Sequence, residues 1–525
     1  MARRVVISRA AVAVALSVLA AAPAAALQAE EGQCVPLPVV DDRCESWQVV
    51  HDPVADVDEP YQQPSAMVTS TSADLIAVAG YGAQDLFDTQ GQAHSAWRIL
   101  GIDPDTGEVR WLSRPGLTDA YSRPLGIHIT EDGTSVLVAG YRASAFGQTD
   151  ALMVVMSLDA ATGEVRWSTT VDGGRAEARS ADARGWFVAE ADGSVLVLGT
   201  HRQPPPAVAQ GLVVVRLDAD TGEPTAVRTI PGVIPTGTSV PAGLAVSDDG
   251  DHAVVGATVD GVGTYDLDML AVGLDLADGG LDVTWSHAWD GVGAHAPDRV
   301  QGMAADPDDG LVVLTGISSN DVDGPPFDVD YATATIAYDM ETGAQRWLSR
   351  EMLAERVAMP AGVAVDDGRV VVVGSRSMDG TGQGYALGLD ATDGSTSWVS
   401  PVDTPDRDRE FTTAVAINGD HVAVTGGSSS SVAATVMPNR ATISDTLTVA
   451  LSASDGSRRW TARHNSTDIG DDAGRAVTVT PAGDVHVLGQ VTRNVDMDEN
   501  FYDLAVLGYL AVDAPPVTPD RLGQP

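Results

Sequence analysis

Short apolar runs, separated by Gly and Asp, recur along the whole chain. One kind consists of apolar residues, mostly Val, Leu and Ala, that lead up to a Gly, as in VLVAGY (136–141) and VLVLGT (195–200). Such runs begin at residues 77, 136, 195, 253, 312, 370, 422 and 485, so their spacing is 58 or 59 residues and then 52 and 63. Runs of this length, rich in Val and Ala and bounded by turn residues, are typical of β-strands in hairpins. The constant period predicts an array of like units.

Each period contains four runs. Between residues 362 and 398 the sequence reads GVAVDDG, RVVVVGS, YALGLD and ATDGSTSW. We expect four antiparallel strands here, forming a small sheet with two apolar faces that must stack on copies of itself. Radial stacking leaves only short strand edges exposed, and no segment of comparable length has helical spacing. The sequence therefore predicts an all-β fold, a β-propeller with four-stranded antiparallel blades.

The fourth run of a unit follows an acidic turn with Gly and carries a Trp, as in IDPDTGEVRW (102–111). One unit departs from this pattern, because Ala226 stands where the Trp is expected. The last unit has three runs and no Trp, whereas the repeats begin with an isolated run, SWQVVHD (46–52), that contains Trp47. We therefore predict eight blades, the last completed by the N-terminal strand. Seven blades is the alternative if one unit is irregular.

The residues before the first repeat indicate export. Residues 1–26 have three Arg, then an apolar stretch over 10–22 and a small-residue cleavage site, which is typical of a secretory signal peptide and too short to span a bilayer. Residues 27–46 contain Cys34 and Cys44, the only cysteines, which an exported chain would pair in a disulfide. Metal binding by this pair is the alternative, but no His or third Cys is near in sequence. We expect one propeller over 47–511, a flexible tail over 512–525 and release outside the cell.

The chain is strongly acidic. It has 73 Asp and Glu against 31 basic residues, all of them Arg, for a formal net charge of −42. Such a surface repels nucleic acid and anionic membranes, so neither is expected as a partner. The acids are spread through the turns, which indicates a solvated surface, and we expect a monomer.

The stretch LDAATGEVRWSTTVDG (158–173) resembles the tryptophan-docking motif of pyrroloquinoline-quinone (PQQ)-like propellers through Asp159, Thr162, Gly163 and Trp167. Similar elements recur at 103–111 and 339–347. In that family the Trp wedges between neighbouring blades. A Trp side chain suits this role because it can bury up to about 250 Å² of its surface. The resemblance implies structural docking by Trp47, Trp111, Trp167, Trp285, Trp347, Trp398 and Trp460. The junction with Ala226 is then expected to be the weakest.

The resemblance does not extend to the family's chemistry. Quinoprotein dehydrogenases of this fold hold the quinone under a disulfide between adjacent cysteines and bind calcium, but this chain has no Cys-Cys pair. We therefore expect no bound PQQ. The sequence contains no Gly-x-Ser-x-Gly elbow, no P-loop and no three histidines with zinc-ligand spacing, so no catalytic residue is assigned.

Two groups of residues are candidate ligand sites. Alternating carboxylates and amides suit calcium, although Asp and Asn also serve ordinary turns; they are Asp496, Asp498, Asn500 and Asp503, then Asn320, Asp321 and Asp323 with Gly324, and Asp328 with Asp330. Charged residues also precede several predicted inner strands: Arg123, Asp182, Arg184, Asp298, Arg299, Arg356, Arg409 and Arg475. They would form either a ring of ion pairs or a mixed-charge funnel that binds a small ligand or a peptide.

Long inserts between second and third strands, at 81–97, 318–330 and 428–445, favour a function in recognition, because loops on a rigid scaffold often bind partners. The leading interpretation is a secreted, non-enzymatic module that binds a protein or small ligand, or acts as a scaffold. The competing one is an enzyme that uses the central channel with a metal or quinone, such as a dehydrogenase or a lactonase-type hydrolase.

Overall fold

The computed structural model describes residues 46–51, 62–85, 94–115, 121–144, 150–171, 183–202, 210–230, 239–261, 266–291, 297–319, 330–353, 357–378, 381–404, 407, 409–429, 444–465, 471–496 and 499–511. The segments predicted as signal peptide, disulfide-bearing segment and tail lie outside these residues.

The described residues form strands throughout, joined by tight turns, with one turn of 3-10 helix at Ala277–Gly279. The strands are β1 Trp47–His51, β2 Gln62–Ser70, β3 Leu75–Asp85, β4 His94–Ile102, β5 Val109–Ser113, β6 Tyr121–Ile129, β7 Ser135–Ala143, β8 Leu152–Asp159, β9 Val165–Val171, β10 Ala183–Ala191, β11 Ser194–Arg202, β12 Gln210–Asp218, β13 Pro224–Ile230, β14 Ser239–Val246, β15 His252–Asp260, β16 Leu267–Asp275, β17 Asp282–Trp289, β18 Asp298–Asp306, β19 Leu311–Ser319, β20 Tyr331–Asp339, β21 Gln345–Glu351, β22 Ala358–Asp366, β23 Arg369–Met378, β24 Thr381–Asp390, β25 Thr396–Val402, β26 Arg409–Asn418, β27 His421–Ser429, β28 Ser444–Ser452, β29 Arg458–His464, β30 Ala473–Val479, β31 Val485–Asp496 and β32 Glu499–Tyr509.

The predicted unit of four antiparallel strands is confirmed. Strands β10–β13, β14–β17 and β18–β21 each form one such sheet in chain order. Strands β2–β9 and β22–β29 each form two of these units, joined by a single parallel pair, Ser95 with Tyr121 and Gly382 with Arg409. The alternation of apolar residues therefore gives an all-β fold of repeated antiparallel sheets, as the periodicity predicts.

The first and last strands of the chain belong to one sheet, in the order β1-β32-β31-β30. Antiparallel pairing places Trp47 opposite Gly508 and Val49 opposite Val506. The Ser46 amide donates to the Gly508 carbonyl at 2.7 Å. Residues distant in sequence therefore complete a sheet of the same size as the others.

Neighbouring sheets stack through their apolar faces. Second strands are buried almost without interruption, and those of adjacent sheets share a core, as where Leu137 and Ala139 meet Val195 and Val197. The first strands of successive sheets contact one another from β2 through β6, β10, β14, β18, β22 and β26 to β30, and β30 in turn contacts β2. Fourth strands such as β17 are mainly exposed. First strands therefore line the inside of the stack.

Within the described part of the chain, the structure contains no helix long and apolar enough to cross a membrane.

Candidate functional site

The predicted docking tryptophans contact the acidic turn of the next sheet. Trp111 Nε1 donates to the Ala160 carbonyl at 2.8 Å. Its indole lies against Gly163, where a Cβ atom would come within 2.4 Å of the ring. Gly163 also has φ of +71°, which glycine adopts without strain. The glycine of the motif is therefore required both for the turn and for the contact with Trp.

The same arrangement recurs at other junctions. In each case an indole nitrogen donates to a turn carbonyl and the indole covers a turn glycine: Trp47 with Pro104 and Gly107, Trp167 with Ala219 and Gly222, Trp285 with Met340 and Gly343, Trp347 with Ala391 and Gly394, and Trp398 with Ala453 and Gly456. Trp460 packs on Tyr509, with ring centroids 5.2 Å apart.

Arg216 occupies the junction that lacks a Trp. Ala226 has the register of the tryptophans, but its partner across the strand is Arg216, where Trp111 faces Gly101. The Arg216 guanidinium donates to the Leu276 carbonyl at 2.6 Å, at the equivalent place in the next sheet. The sequence already contained this signal, because an Arg stands where other units with the motif have a small residue.

The charged residues of the first strands have different surroundings. The Arg123 guanidinium lies 4.4 Å from the Tyr81 ring centroid and 5.0 Å from that of Tyr121, and Arg184 lies 4.7 Å from Tyr141. These cation–π contacts are not the predicted ion pairs. Asp182 and Arg356 lie outside the described residues. Arg299 is exposed.

Arg409 and Arg475 both line a cavity of about 470 Å³, formed by three successive sheets. The lining combines charged, aromatic and small polar residues: Ser375, Gly382, Arg409, Glu410, Phe411, Ser429, Ser444, Asp471, Ala473, Arg475, Gln490 and Tyr502. The sequence predicted the two arginines as members of either a ring of ion pairs or a mixed-charge funnel. It did not indicate Phe411, Gln490 or Tyr502, which come from different strands.

The charged residues of the cavity differ in burial and in hydrogen bonding. Glu410 is buried, and the Thr404 amide and hydroxyl donate to its Oε1 at 3.2 and 2.8 Å. Arg475 donates to Gln490 Oε1 at 2.9 Å. The exposed Arg409 guanidinium makes no hydrogen bond to the described residues. Two exposed arginines and the half-buried Asp471 therefore line the cavity, while the buried Glu410 carboxylate has donors of its own.

The predicted calcium ligands are largely beyond what the structure describes. Residues 320–329 and Asp498 lie outside the described residues, as do the side chains of Asp496 and Asn500. Asp503 lies on β32 with a buried side chain. Calcium binding at these positions stays a prediction.

No family model and no curated protein matches the chain. Solved structures similar to it include a quinohemoprotein alcohol dehydrogenase from Comamonas testosteroni, at 12% identity over 90% of this chain and 77% of that one, TM-score 0.48. A second, from Pseudomonas putida HK5, is 11% identical over 92% and 79%, TM-score 0.49. The periplasmic gluconolactonase of Pseudomonas aeruginosa is 16% identical over 65% and 89%, TM-score 0.39. Two of these three structures are quinohemoprotein alcohol dehydrogenases, and all three are less than 20% identical to this chain.

Proposed function

We propose that this chain is a secreted, non-enzymatic binding module built on an eight-bladed propeller, and that the cavity at Arg409 and Arg475 binds an anionic small ligand or the carboxylate of a peptide. The observation that carries this proposal is the convergence of two accessible guanidinium groups on one cavity of about 470 Å³. Binding cavities in proteins commonly have about 300–1,000 Å³.

The chemistry of the lining indicates the ligand class. Guanidinium groups bind carboxylates through charge-assisted hydrogen bonds. Phe411 and Tyr502 add aromatic surface beside the two arginines, and Ser429 and Ser444 add hydroxyl groups. A carboxylate attached to a small apolar or peptide group would use all of these features.

Eight blades and closure by the N-terminal strand belong to the same proposal. Two contacts support it: β1 pairs with β32, and first strand β30 contacts first strand β2. A closed ring would fix the cavity walls, because each of its three sheets would be held on both sides. We further propose that residues 1–26 direct export, that residues 47–511 form one domain and that the ring is monomeric.

The cavity is tested by calorimetric titration of the full mature chain with succinate and with an acidic tripeptide, acetyl-Glu-Glu-Glu. We expect one of these probes to bind, and Arg409→Gln or Arg475→Gln to weaken its binding by about tenfold or more, because a hydrogen bond to a charged group contributes about 1.5–3 kcal/mol. Arg228→Gln is the control, since Arg228 lies on β13 outside the cavity. Equal binding by parent and cavity variants would contradict the proposal.

The competing enzyme interpretation has its own measurement. An ultraviolet-visible spectrum of the purified chain would show a quinone band if it carried PQQ. A quinone band would favour the interpretation as a channel-centred enzyme over that as a binding module. Turnover of an alcohol or lactone that is abolished by Arg409→Gln would favour the enzyme in the same way.

A further inference from the structure

A buried histidine, His486, lies in the sheet that the two ends of the chain form together, the shared sheet of β1, β30, β31 and β32. Gly508 on β32 pairs with Trp47 on one side and with His486 on the other. A Cβ atom on Gly508 would lie 2.1 Å from the Trp47 ring. Because Gly508 has no side chain, the indole extends over it and stacks on the His486 imidazole, with ring centroids 5.7 Å apart and 27° between the planes.

The other sheets have an aliphatic residue where the shared sheet has His486. The position is defined by register: it lies on the second strand, opposite the third-strand residue that pairs with the Trp of the fourth strand, or with Ala226. Its occupants in the other sheets are Ala77, Leu137, Leu196, Val254, Val313, Val371 and Ala423. Among the described sheets, the one completed by both chain ends is therefore the one with a titratable group at this position.

Hydrogen bonding fixes the form of this imidazole. His486 Nε2 lies 3.2 Å from the Pro104 carbonyl, which can only accept, so the neutral ring carries its proton on Nε2. The same carbonyl accepts from Trp47 Nε1 at 3.1 Å. His486 is 0% exposed, and its Nδ1 has no hydrogen-bond partner among the described residues. A proton added to Nδ1 would therefore bury both a charge and an unpaired N–H group, which is unfavourable.

The charged groups around His486 do not reverse this effect. The residues opposite it on β30 and β32, Thr478 and Gly508, carry no charge. Burial lowers the pKa of His486 and outweighs the opposing effects of its hydrogen bond to the turn carbonyl and of the Asp484 and Asp105 carboxylates. The other described charged residues of the adjoining turns are Asp103 and Asp74, both paired with Arg110, and the exposed Glu108.

We propose that His486 makes the pairing of β1 with β32 sensitive to acid, so that the N-terminal strand is held at neutral pH and released more readily in mild acid. Departure of β1 would remove Trp47 from the imidazole and admit water to Nδ1. The open form then takes up a proton more readily than the paired form. Because the pKa of His486 is lowered from 6.5 in the paired sheet, the stabilisation is complete above about pH 6.5 and is lost as the pH falls below it.

The test measures hydrogen exchange of the full mature chain by mass spectrometry at pH 7.5 and 5.5, with each rate corrected for the intrinsic exchange rate at that pH. The protection of the β1 amides then reports the opening of this strand. One histidine with a pKa of 6.5 in the open form can change the opening equilibrium by up to about tenfold between these pH values, so we expect the protection of β1 to fall severalfold at pH 5.5. Strand β21 is the internal control, because its sheet has Val313 at the position of His486, and it should keep its protection.

Two variants separate protonation from packing. His486→Val introduces the residue of three other sheets, and His486→Gln keeps an N–H donor for the Pro104 carbonyl but takes up no proton. In both variants the protection of β1 should be the same at the two pH values. His128→Val removes another histidine whose pKa burial lowers, on β6 outside the shared sheet, and should keep the pH dependence of the parent.

Four outcomes would overturn the proposal. In the parent, they are equal protection of β1 at both pH values, an equal loss in β1 and β21, or greater protection of β1 in acid. The last would show that stacking on Trp47 favours the imidazolium more than burial disfavours it. The fourth is a pH dependence of β1 that persists in either His486 variant.

Discussion

A single aspartate organises several of the acidic turns that follow third strands. Asp103 Oδ1 accepts from the Thr106 amide at 2.9 Å and hydroxyl at 2.8 Å, and Arg110 donates to Oδ2 at 2.7 Å. Burial raises the pKa of Asp103, but the hydrogen bonds from Arg110 and Thr106 outweigh this and lower the pKa to about 2. Asp159 and Asp339 repeat the arrangement with Arg166 and Arg346.

This shift predicts how acid affects stability. Because the pKa of Asp103 falls from 3.8 to about 2 on folding, the unfolded chain binds the proton more readily, so the stabilisation is complete above about pH 4 and is lost as the pH falls through 2. Asp103→Asn should therefore reduce the free energy of unfolding at pH 6 by more than at pH 3, measured in urea. Asp105→Asn, in the same turn, is the control. A deficit that is the same at both pH values would contradict the assignment.

Sequence reasoning identified these turns but not the second role of their glycines. Asp, Thr and Gly at fixed offsets predict a tight turn from local chemistry alone. The contact between Gly163 and Trp111 joins residues about 50 positions apart. It depends on how two sheets stack, which no local pattern specifies.

Between elements, one side chain spans each junction that has the motif. Six tryptophans donate to a turn carbonyl of the next sheet, and at the remaining junction of this kind Arg216 donates from the third strand instead. The turn beyond Arg216 differs as well: it is the 3-10 turn, and a Cβ atom on Gly279 would contact nothing. The turn and the side chain that contacts it have changed together.

We expect the two kinds of junction to differ in strength. Trp167→Ala should lower the free energy of unfolding by about 3–5 kcal/mol, since it empties a buried indole site. Arg216→Ala should cost less, about 1.5–3 kcal/mol, because it mainly removes hydrogen bonds from a charged donor. Urea unfolding measures both, with the half-buried Trp289→Ala as control. Unfolding of Trp167→Ala at the parent's midpoint would show that the indole does not dock the sheets.

The strands were predictable because alternation, turn residues and spacing all agree for each unit. The weak junction expected at Ala226 was inferred from a missing Trp alone. Arg216, on the strand that pairs with Ala226, makes the hydrogen bond to the next sheet that a Trp makes elsewhere. A comparison of the residues that face each other across the strand pair would have identified Arg216.

For the whole molecule, the decisive contact joins the two ends of the described chain. Without β1, strand β32 would expose a row of unpaired backbone groups, and an open edge of this kind associates with other chains. A chain that starts at residue 53 should therefore elute as dimers or larger species in size-exclusion chromatography.

A synthetic peptide covering residues 45–52 should restore the monomer by adding the missing strand. The same peptide with Trp47→Ala should restore it less well, because Trp47 also donates to the Pro104 carbonyl at 3.1 Å. A truncated chain that stays monomeric and as stable as the parent would contradict this role of β1.

The order of the sheets and the return of the N-terminal strand could be inferred by counting runs. The candidate binding cavity could not, since its walls come from three sheets and only two of its residues stood out in sequence.

The hydrogen bond between the Leu510 amide and the Ser46 hydroxyl, 3.0 Å long, brings residues 464 positions apart into direct contact. A short linker could therefore join residue 46 to residue 511, and new termini could be opened between β13 and β14. In such a circular permutant every sheet would be an uninterrupted stretch of sequence, so the shared sheet would no longer depend on the meeting of two distant ends.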